Sequence, residues 1–327
     1  MRHLVSVLDL SSDDVLKIFK RAAAHKGGYT SIGNFPNGRP VLAALFYEPS
    51  TRTRLSFEAA MHRLGGSVIS TENAGAFSSA AKGETLEDSI RIVSEYCHVI
   101  ALRHPEAGAA ARAAAVSDVP IVNAGDGDNE HPSQALLDLF TIWEAAREGR
   151  ISEPRVLRVH FYGDNLKSRT VRSLALMLGR HADALGLHVE KLYFGGPYRE
   201  CAQPSKRLYD EILGCGISSL VIANSGLGTP ANVVYLTRVQ KERYPTDFRF
   251  TAEEPADSHE AQAHWPLRYE RTHAAYVHQH GIIMHPLPRA GDLSPEVDDH
   301  PSAQYFEQAR NGLYIRMALI EFLLAQH

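Results

Sequence analysis

Short apolar runs alternate with longer amphipathic stretches along this chain. The runs at 41–46, 67–70, 98–102 and 119–123 are four to six residues long, the length of buried strands. Between them the apolar positions shift to helical spacing. Val15, Ile18, Phe19 and Ala22 follow Ser11-Ser12-Asp13-Asp14, and Gly27-Gly28 closes that helix. A second helix runs from Arg54 to Arg63, with Ser50 and Thr51 as capping residues. A capping box at Thr85–Asp88 opens a third, with Ile90, Ile92, Val93 and Tyr96 on one side. An alanine-rich helix spans 107–115, and a long one starts near Ser133 with Ala135, Leu136, Leu139, Phe140 and Trp143 apolar.

The alternation pauses at Glu148-Gly149-Arg150-Ile151-Ser152-Glu153-Pro154 and then restarts. Strands are predicted at 156–161, 188–194, 219–223, 233–236 and 282–284, and a helix at 171–178. Residues 244–280 read as polar and irregular, and 302–325 as one long amphipathic helix. Strand-helix alternation of this kind predicts an α/β fold in two domains, each a parallel sheet flanked by helices.

Composition narrows the class. The chain of 327 residues is 44% hydrophobic and 22% charged, an ordinary balance for a protein with a full core, and long enough for about two domains. A net charge of −4 argues against a general nucleic-acid binder. No run of about 18 apolar residues predicts a membrane span, and Met1-Arg2-His3-Leu4-Val5 does not open a signal-peptide pattern. Cys97, Cys201 and Cys215 are too few and too scattered for a disulfide framework or a zinc site, so a reducing cytoplasm is the expected compartment.

Ligands of parallel α/β sheets bind at the carboxyl ends of strands. The unusual polar clusters of this chain fall there: 50–54, 103–104, 126–134, 164–169, 238–240 and 285–289. Five of the six carry an arginine, which points to an anionic ligand with two charged ends, or to two anions. The Ser50-Thr51-Arg52-Thr53-Arg54 turn is the densest, three hydroxyls and two guanidiniums at a helix N-terminus. Two weaker patterns carry little. Gly226-Leu227-Gly228-Thr229-Pro230-Ala231 is broken by Pro230 and lacks a clear strand-ending acid about 20 residues on, so it is a poor dinucleotide fingerprint. His273, His278 and His280 match no ligand spacing and read as a solvated loop.

Ser50-Thr51-Arg52-Thr53-Arg54 resembles the carbamoyl-phosphate motif of the aspartate/ornithine carbamoyltransferase family, and His131-Pro132-Ser133-Gln134 resembles its His-Pro-x-Gln motif. The stretch 235–243 and His285-Pro286-Leu287-Pro288-Arg289 are similar to the aspartate branch; the ornithine branch would show His-Cys-Leu-Pro at 285–288. The resemblance spans both domains and the terminal helix. It implies a carbamoyl-phosphate-binding domain at 1–147, with helix 302–327 packing back on it, and an aspartate-binding domain at 148–301. The implied reaction joins carbamoyl phosphate and L-aspartate into N-carbamoyl-L-aspartate and phosphate, an early step of de novo pyrimidine biosynthesis, without a metal or a cofactor.

The resemblance also implies residue roles. Arg52, Thr53, Lys82, Arg103 and His131 form the catalytic set. Ser50, Thr51, Gln134, Ser78 and the Pro286 and Leu287 backbone complete the carbamoyl-phosphate site. Arg169, Arg238, Gln240, Lys82 and Leu287 take L-aspartate, and Glu48 with Arg169 and Arg243 holds a closed state. Lys82 and Ser78 would reach a neighbouring subunit, so a homotrimer with shared sites is implied, with regulatory or dihydroorotase chains as partners in some relatives. Two departures stand out: Arg172 where the family often has histidine, and a long stretch between Arg243 and His285. The alternatives are a transcarbamylase for another amino acid, disfavoured for ornithine by Arg238, and a carbamoyl-phosphate-binding homologue without activity.

Overall fold

A computed structural model of the chain describes residues 2–28, 38–73, 83–151, 156–217, 219–222, 231–251, 269–270, 273–274 and 277–325. The chain divides into two compact units, 1–137 with 310–327, and 138–309.

The first unit contains α1 (Ser12–Lys26), β1 (Val41–Phe46), α2 (Thr51–Arg63), β2 (Ser67–Glu72), α3 (Leu86–Ser94), β3 (Val99–His104), α4 (Ala109–Val116) and β4 (Ile121–Asp126). Its sheet is parallel throughout, in the order β2-β1-β3-β4. Parallel strands need crossovers, and the amphipathic helices supply them. Ala43, Leu45, Ile100, Leu102 and Ile121 bury one sheet face against Leu86 and Ile90 of α3 and Ala109 and Ala113 of α4. Ser11 caps α1 as expected, its hydroxyl accepting from the Asp14 N–H while Asp14 accepts from the Ser11 N–H. At Thr85 half of the expected box forms: its hydroxyl accepts from the Asp88 N–H, while the Asp88 carboxylate pairs with Arg91.

Two helices pass from one unit to the other: α5 (Pro132–Arg147) begins in the first, and α9 (Tyr305–Leu324) ends there. The end of α9 is pinned to α1. Arg21 donates to both Glu321 carboxylate oxygens, from Nε at 2.5 Å and Nη2 at 2.7 Å, and His25 Nε2 lies 2.7 Å from Glu321 Oε2. Lys26 adds a bond to Asn311 at 3.1 Å. The Arg316 guanidinium stacks 4.9 Å from the centre of the Phe57 ring.

The second unit contains β5 (Leu157–Tyr162), α6 (Arg169–His181), β6 (Val189–Gly195), α7 (Arg199–Ala202), α8 (Lys206–Gly214), β7 (Leu220–Ile222), β8 (Ala231–Leu236) and β9 (Val277–Met284). This sheet is also parallel, in the order β7-β6-β5-β8-β9. Phe161 stacks on Phe194 at 5.3 Å and meets Tyr235 edge-on at 5.7 Å, tying three neighbouring strands together. None of the described helices is long and apolar enough to cross a membrane.

Several expected boundaries move. The second helix begins at Thr51 rather than Arg54, so Thr51–Thr53 are its first turn. β3 extends through Arg103 and His104, and β4 runs 121–126 rather than 119–123. β9 starts at Val277, so His278 and His280 belong to a strand and not to a loop. Helix α8, capped by Ser205 and burying Leu208 and Ile212, has its signal in the sequence but was not among the expected elements. Residues 226–230 of the glycine-rich stretch lie outside the described residues, and Ala231 opens β8.

Burial by itself would raise the Glu321 carboxyl; hydrogen bonds from Arg21 and His25 override it and hold the group below its ordinary 4.5. Its stabilising effect is therefore present above that pH and is lost as pH falls through the depressed folded value. We expect Glu321→Gln to destabilise the protein by about 2 kcal/mol at neutral pH, because a buried partner set loses its charge. Denaturant melts at a series of pH values check this: the gap from wild type should narrow as pH falls below 4.5.

Candidate active site

In the first unit the strand order reverses at β1. The chain leaves β1 for β2 on one side and then crosses to β3 on the other. Such a reversal leaves a crevice at the carboxyl ends of the two central strands, because their crossovers turn away in opposite directions. Ser50 to Thr53 follow β1 there, and Arg103 aligns with Phe46, the last residue of β1. The Tyr47 N–H donates to the Arg103 carbonyl at 2.9 Å, locking the two exits together.

Ser50 occupies the N-cap position of α2 but makes no side-chain cap bond, so its hydroxyl is not committed to the helix. Thr53 is buried, and Thr51 and Arg52 are exposed. Arg52 meets no carboxylate among the described residues. Its neighbour Arg54 differs. It pairs with Glu58 at 3.1 Å and Glu72 at 3.0 Å, which takes the second guanidinium out of the expected anion cluster. Arg103 sits 3.4 Å from Glu48 Oε2, so Glu48 is seated against an arginine of its own unit.

The β4 exit supplies His131 and Gln134. Asp126 organises it: Oδ1 accepts from Asn123 Nδ2 at 2.9 Å and from the Glu130 N–H at 3.1 Å, while Oδ2 accepts from the Gly108 N–H at 2.8 Å and Asn129 Nδ2 at 3.1 Å. The Glu130 carboxylate is itself clamped by Ser6 Oγ and the Val7 N–H, each at 2.8 Å. His131 therefore enters α5 from a fixed loop. It is buried, as is Gln134 one turn on. Gly127, at φ 53, donates to the His104 carbonyl at 3.0 Å; a Cβ there would stand 2.8 Å from the Pro105 oxygen. His104 leaves the site: its Nδ1 accepts the Glu106 N–H at 3.1 Å and its ring packs on Tyr47.

The second unit reverses its strand order between β5 and β8, and its polar residues gather at those exits. Asp164, fully buried, joins the two loops. It accepts from the Lys167 N–H at 2.9 Å, the Gln240 N–H at 3.1 Å and the Tyr244 hydroxyl at 3.0 Å. Burial pushes its carboxyl above the ordinary value, and those three donors pull against it. This carries Arg169, at the start of α6, and Arg238 with Gln240 into one neighbourhood. Arg169 is buried, and Arg243 donates to the Lys167 carbonyl at 3.4 Å. Arg238 is half-buried and held by both oxygens of Glu242, a partner legible from the i, i+4 spacing.

The β9 exit holds Pro286 and Leu287, both half-buried. Leu287 has φ 54, a left-handed conformation that costs a branched residue about 1–2 kcal/mol. Two other arginines are structural: Arg289 grips Asp298 with both terminal nitrogens, and Arg172 pairs with Glu211 of α8. The departure at Arg172 is thus a helix-helix staple. Ser78 and Lys82 lie outside the described residues. Among the described residues no group of His, Cys, Asp and Glu is arranged to hold a metal.

Two family models cover nearly the whole chain. Residues 2–144 match the aspartate/ornithine carbamoyltransferase, carbamoyl-P binding domain, and 157–323 match the Asp/Orn binding domain of the same family. The chain belongs to the aspartate/ornithine carbamoyltransferase family. Among its relatives, aspartate carbamoyltransferase 3, chloroplastic, of Pisum sativum is 47% identical over 87% of this chain and 67% of its own length. The aspartate carbamoyltransferase catalytic subunit of Methanopyrus kandleri is 39% identical over 99% of this chain and 97% of its own. Trypanosoma cruzi aspartate transcarbamoylase in complex with carbamoyl phosphate superposes with a TM-score of 0.81 at 32% identity, covering 98% of this chain and 96% of that one. The two carbamoyltransferase units thus each carry a polar cluster at a sheet reversal.

Gly163 permits the β5 and β8 exits to touch. It has φ 124, and a Cβ there would fall 2.0 Å from the Thr237 carbonyl oxygen. We expect Gly163→Ala to cost about 2 kcal/mol or more, through left-handed strain and this overlap together. Denaturant unfolding of the variant measures it; wild-type stability would mean that the two exits tolerate separation.

Proposed function

We propose that the protein transfers the carbamoyl group of carbamoyl phosphate to the amino group of L-aspartate. The observation that carries this reading is the start of α2: Arg52 has no carboxylate partner among the described residues, and an uncommitted Ser50 hydroxyl and the helix N-terminus lie beside it. That set is built for a phosphate dianion. Residues 1–147 with 302–327 act as the carbamoyl-phosphate-binding domain, and 148–301 as the aspartate-binding domain.

Ser50, Thr51, Arg52, Thr53 and Arg103 hold the phosphate. Gln134 and the Pro286 and Leu287 carbonyls take the carbamoyl NH2 group. The neutral aspartate amine attacks the carbamoyl carbon, and negative charge builds on its oxygen. Thr53, Arg103 and His131 donate to that oxygen, the largest expected catalytic effect. The C–O bond to phosphate then breaks, and the departing phosphate accepts the proton that the amine loses. Arg169 and Arg238 bind the two aspartate carboxylates beside Gln240 and Leu287. An arginine already gripped by Glu242 suits this role, since its fork is oriented before the substrate arrives. Phosphate at Arg103 competes with Glu48, which frees Glu48 to serve domain closure with Arg169 and Arg243.

The assembly we propose is a homotrimer in which Lys82 and Ser78 complete a neighbour's site. The exposed Leu55 on α2 and Ile69 on the edge strand β2 support it, because large apolar side chains on an open sheet edge favour a covering partner. Three free cysteines suit a reducing cytoplasm.

We expect Arg52→Ala to lose about 10²-fold or more in rate at saturating carbamoyl phosphate, the scale of one donor lost from a charge-developing site. Mixing inactive Arg52→Ala and Lys82→Ala trimers after dissociation should restore part of the phosphate release. Verified hybrids that stay inactive would remove the shared site, and a near wild-type Arg52→Ala would remove the phosphate assignment. For Arg238→Ala, calorimetry should show weakened aspartate binding and nearly unchanged carbamoyl-phosphate affinity. A large loss of the latter would place Arg238 with the wrong substrate.

A further inference from the structure

The β9 exit contains an imidazole that no step above uses. His285 is 2% exposed, and both of its ring nitrogens are engaged. Nδ1 accepts the Leu287 N–H at 2.8 Å, and Nε2 lies 2.5 Å from Asp292 Oδ2. A nitrogen that accepts from a backbone N–H carries no proton itself, so the proton of a neutral ring must be on Nε2, where Asp292 receives it. Asp292 is held in turn: its Oδ1 accepts the Ala290 N–H at 2.6 Å. Burial alone would raise the Asp292 carboxyl, but the bond from His285 helps hold it below its ordinary value. The base of the turn is anchored separately. Gln308 Oε1 accepts the His285 N–H at 2.9 Å, and Gln308 Nε2 donates to the buried Asp138 at 2.6 Å, which also accepts the Tyr235 hydroxyl at 2.7 Å.

Leu287 is the residue this arrangement acts on. Its left-handed φ of 54 is unusual for a side chain other than glycine or asparagine. Such a conformation persists only where the surroundings over-determine it. Its N–H donates to the His285 ring. We infer that His285, with its tautomer set by Asp292, is a positioning residue that holds the Pro286-Leu287 turn in the conformation that receives the substrate. Asp292 plays the part that a carboxylate plays behind a metal-bound histidine, fixing which nitrogen is the acceptor; here the acceptor serves a peptide N–H instead of a metal. That the turn serves carbamoyl phosphate rests on the function proposed above.

Asp292→Asn tests this with nearly the same shape. The amide oxygen can keep the Ala290 N–H, while the amide NH2 presents a donor to Nε2 and drives the ring proton to Nδ1, facing the Leu287 N–H. We expect kcat/KM for carbamoyl phosphate to fall by about 10²-fold, the scale of a misplaced binding group, with Tm close to wild type. His285→Gln should behave alike, since its amide reaches toward the Nε2 position. His285→Asn, whose amide oxygen can take the Nδ1 place, should keep most of the activity. Nitrogen NMR of histidine-labelled protein reads the tautomer without any turnover: Nε2–H in wild type, Nδ1–H in Asp292→Asn. A wild-type ring protonated on Nδ1 overturns the inference, as does an Asp292→Asn protein that switches tautomer at unchanged kcat/KM. If the wild type transfers no carbamoyl group, the proposed function fails, while the NMR result still decides the positioning role.

Discussion

Two reversals of strand order organise this molecule. A parallel strand must cross over a sheet face to reach its neighbour, and when successive crossovers leave in opposite directions the two central strands end in an open crevice. The first unit reverses beside β1 and the second between β5 and β8. Strand exits are also where backbone N–H groups run out of sheet partners. The crevices are thus both open and rich in donors, which suits anions.

Those exits are held by buried carboxylates. Asp126 ties Asn123, Gly108, Asn129 and Glu130 together, and Asp164 ties Lys167, Gln240 and Tyr244. A carboxylate accepts several hydrogen bonds at once, so one side chain can replace the ladder that a strand end has lost. The cost is desolvation, visible in the raised Asp164 carboxyl. His131 and Gln134 follow the first knot and Arg169 and Gln240 adjoin the second, so in the function proposed above these loops need little ordering when a ligand arrives.

Several arginines near the strand exits are already engaged by carboxylates. Glu58 and Glu72 take Arg54, Glu211 takes Arg172, Asp298 takes Arg289 and Glu242 takes Arg238. Pairing of this kind limits repulsion among the guanidiniums and orients the ones that remain for ligand. Among the described residues Arg52 meets no carboxylate, and its helix begins with Ser50 and Thr51 rather than with an acid.

Much of this was legible in the amino-acid sequence. Period-3.6 helices alternating with short apolar runs specified two parallel α/β units, because burying both sheet faces leaves that architecture. The Ser50–Arg54 turn, His131-Pro132-Ser133-Gln134 and 285–289 carried the family, because each packs several distinctive groups into a short run of the chain. Boundaries moved where tertiary pairing extended a strand beyond its apolar run, as at Arg103-His104 and at His278 and His280. What only the tertiary structure decided was partnership. Glu58, four residues on, marks Arg54 locally, but its second partner Glu72 and the pairing of His285 with Asp292 are delivered by folding. Sequence spacing determines which chemical groups exist at the strand ends; the three-dimensional pairing of charges and donors determines which of them remain available to a substrate.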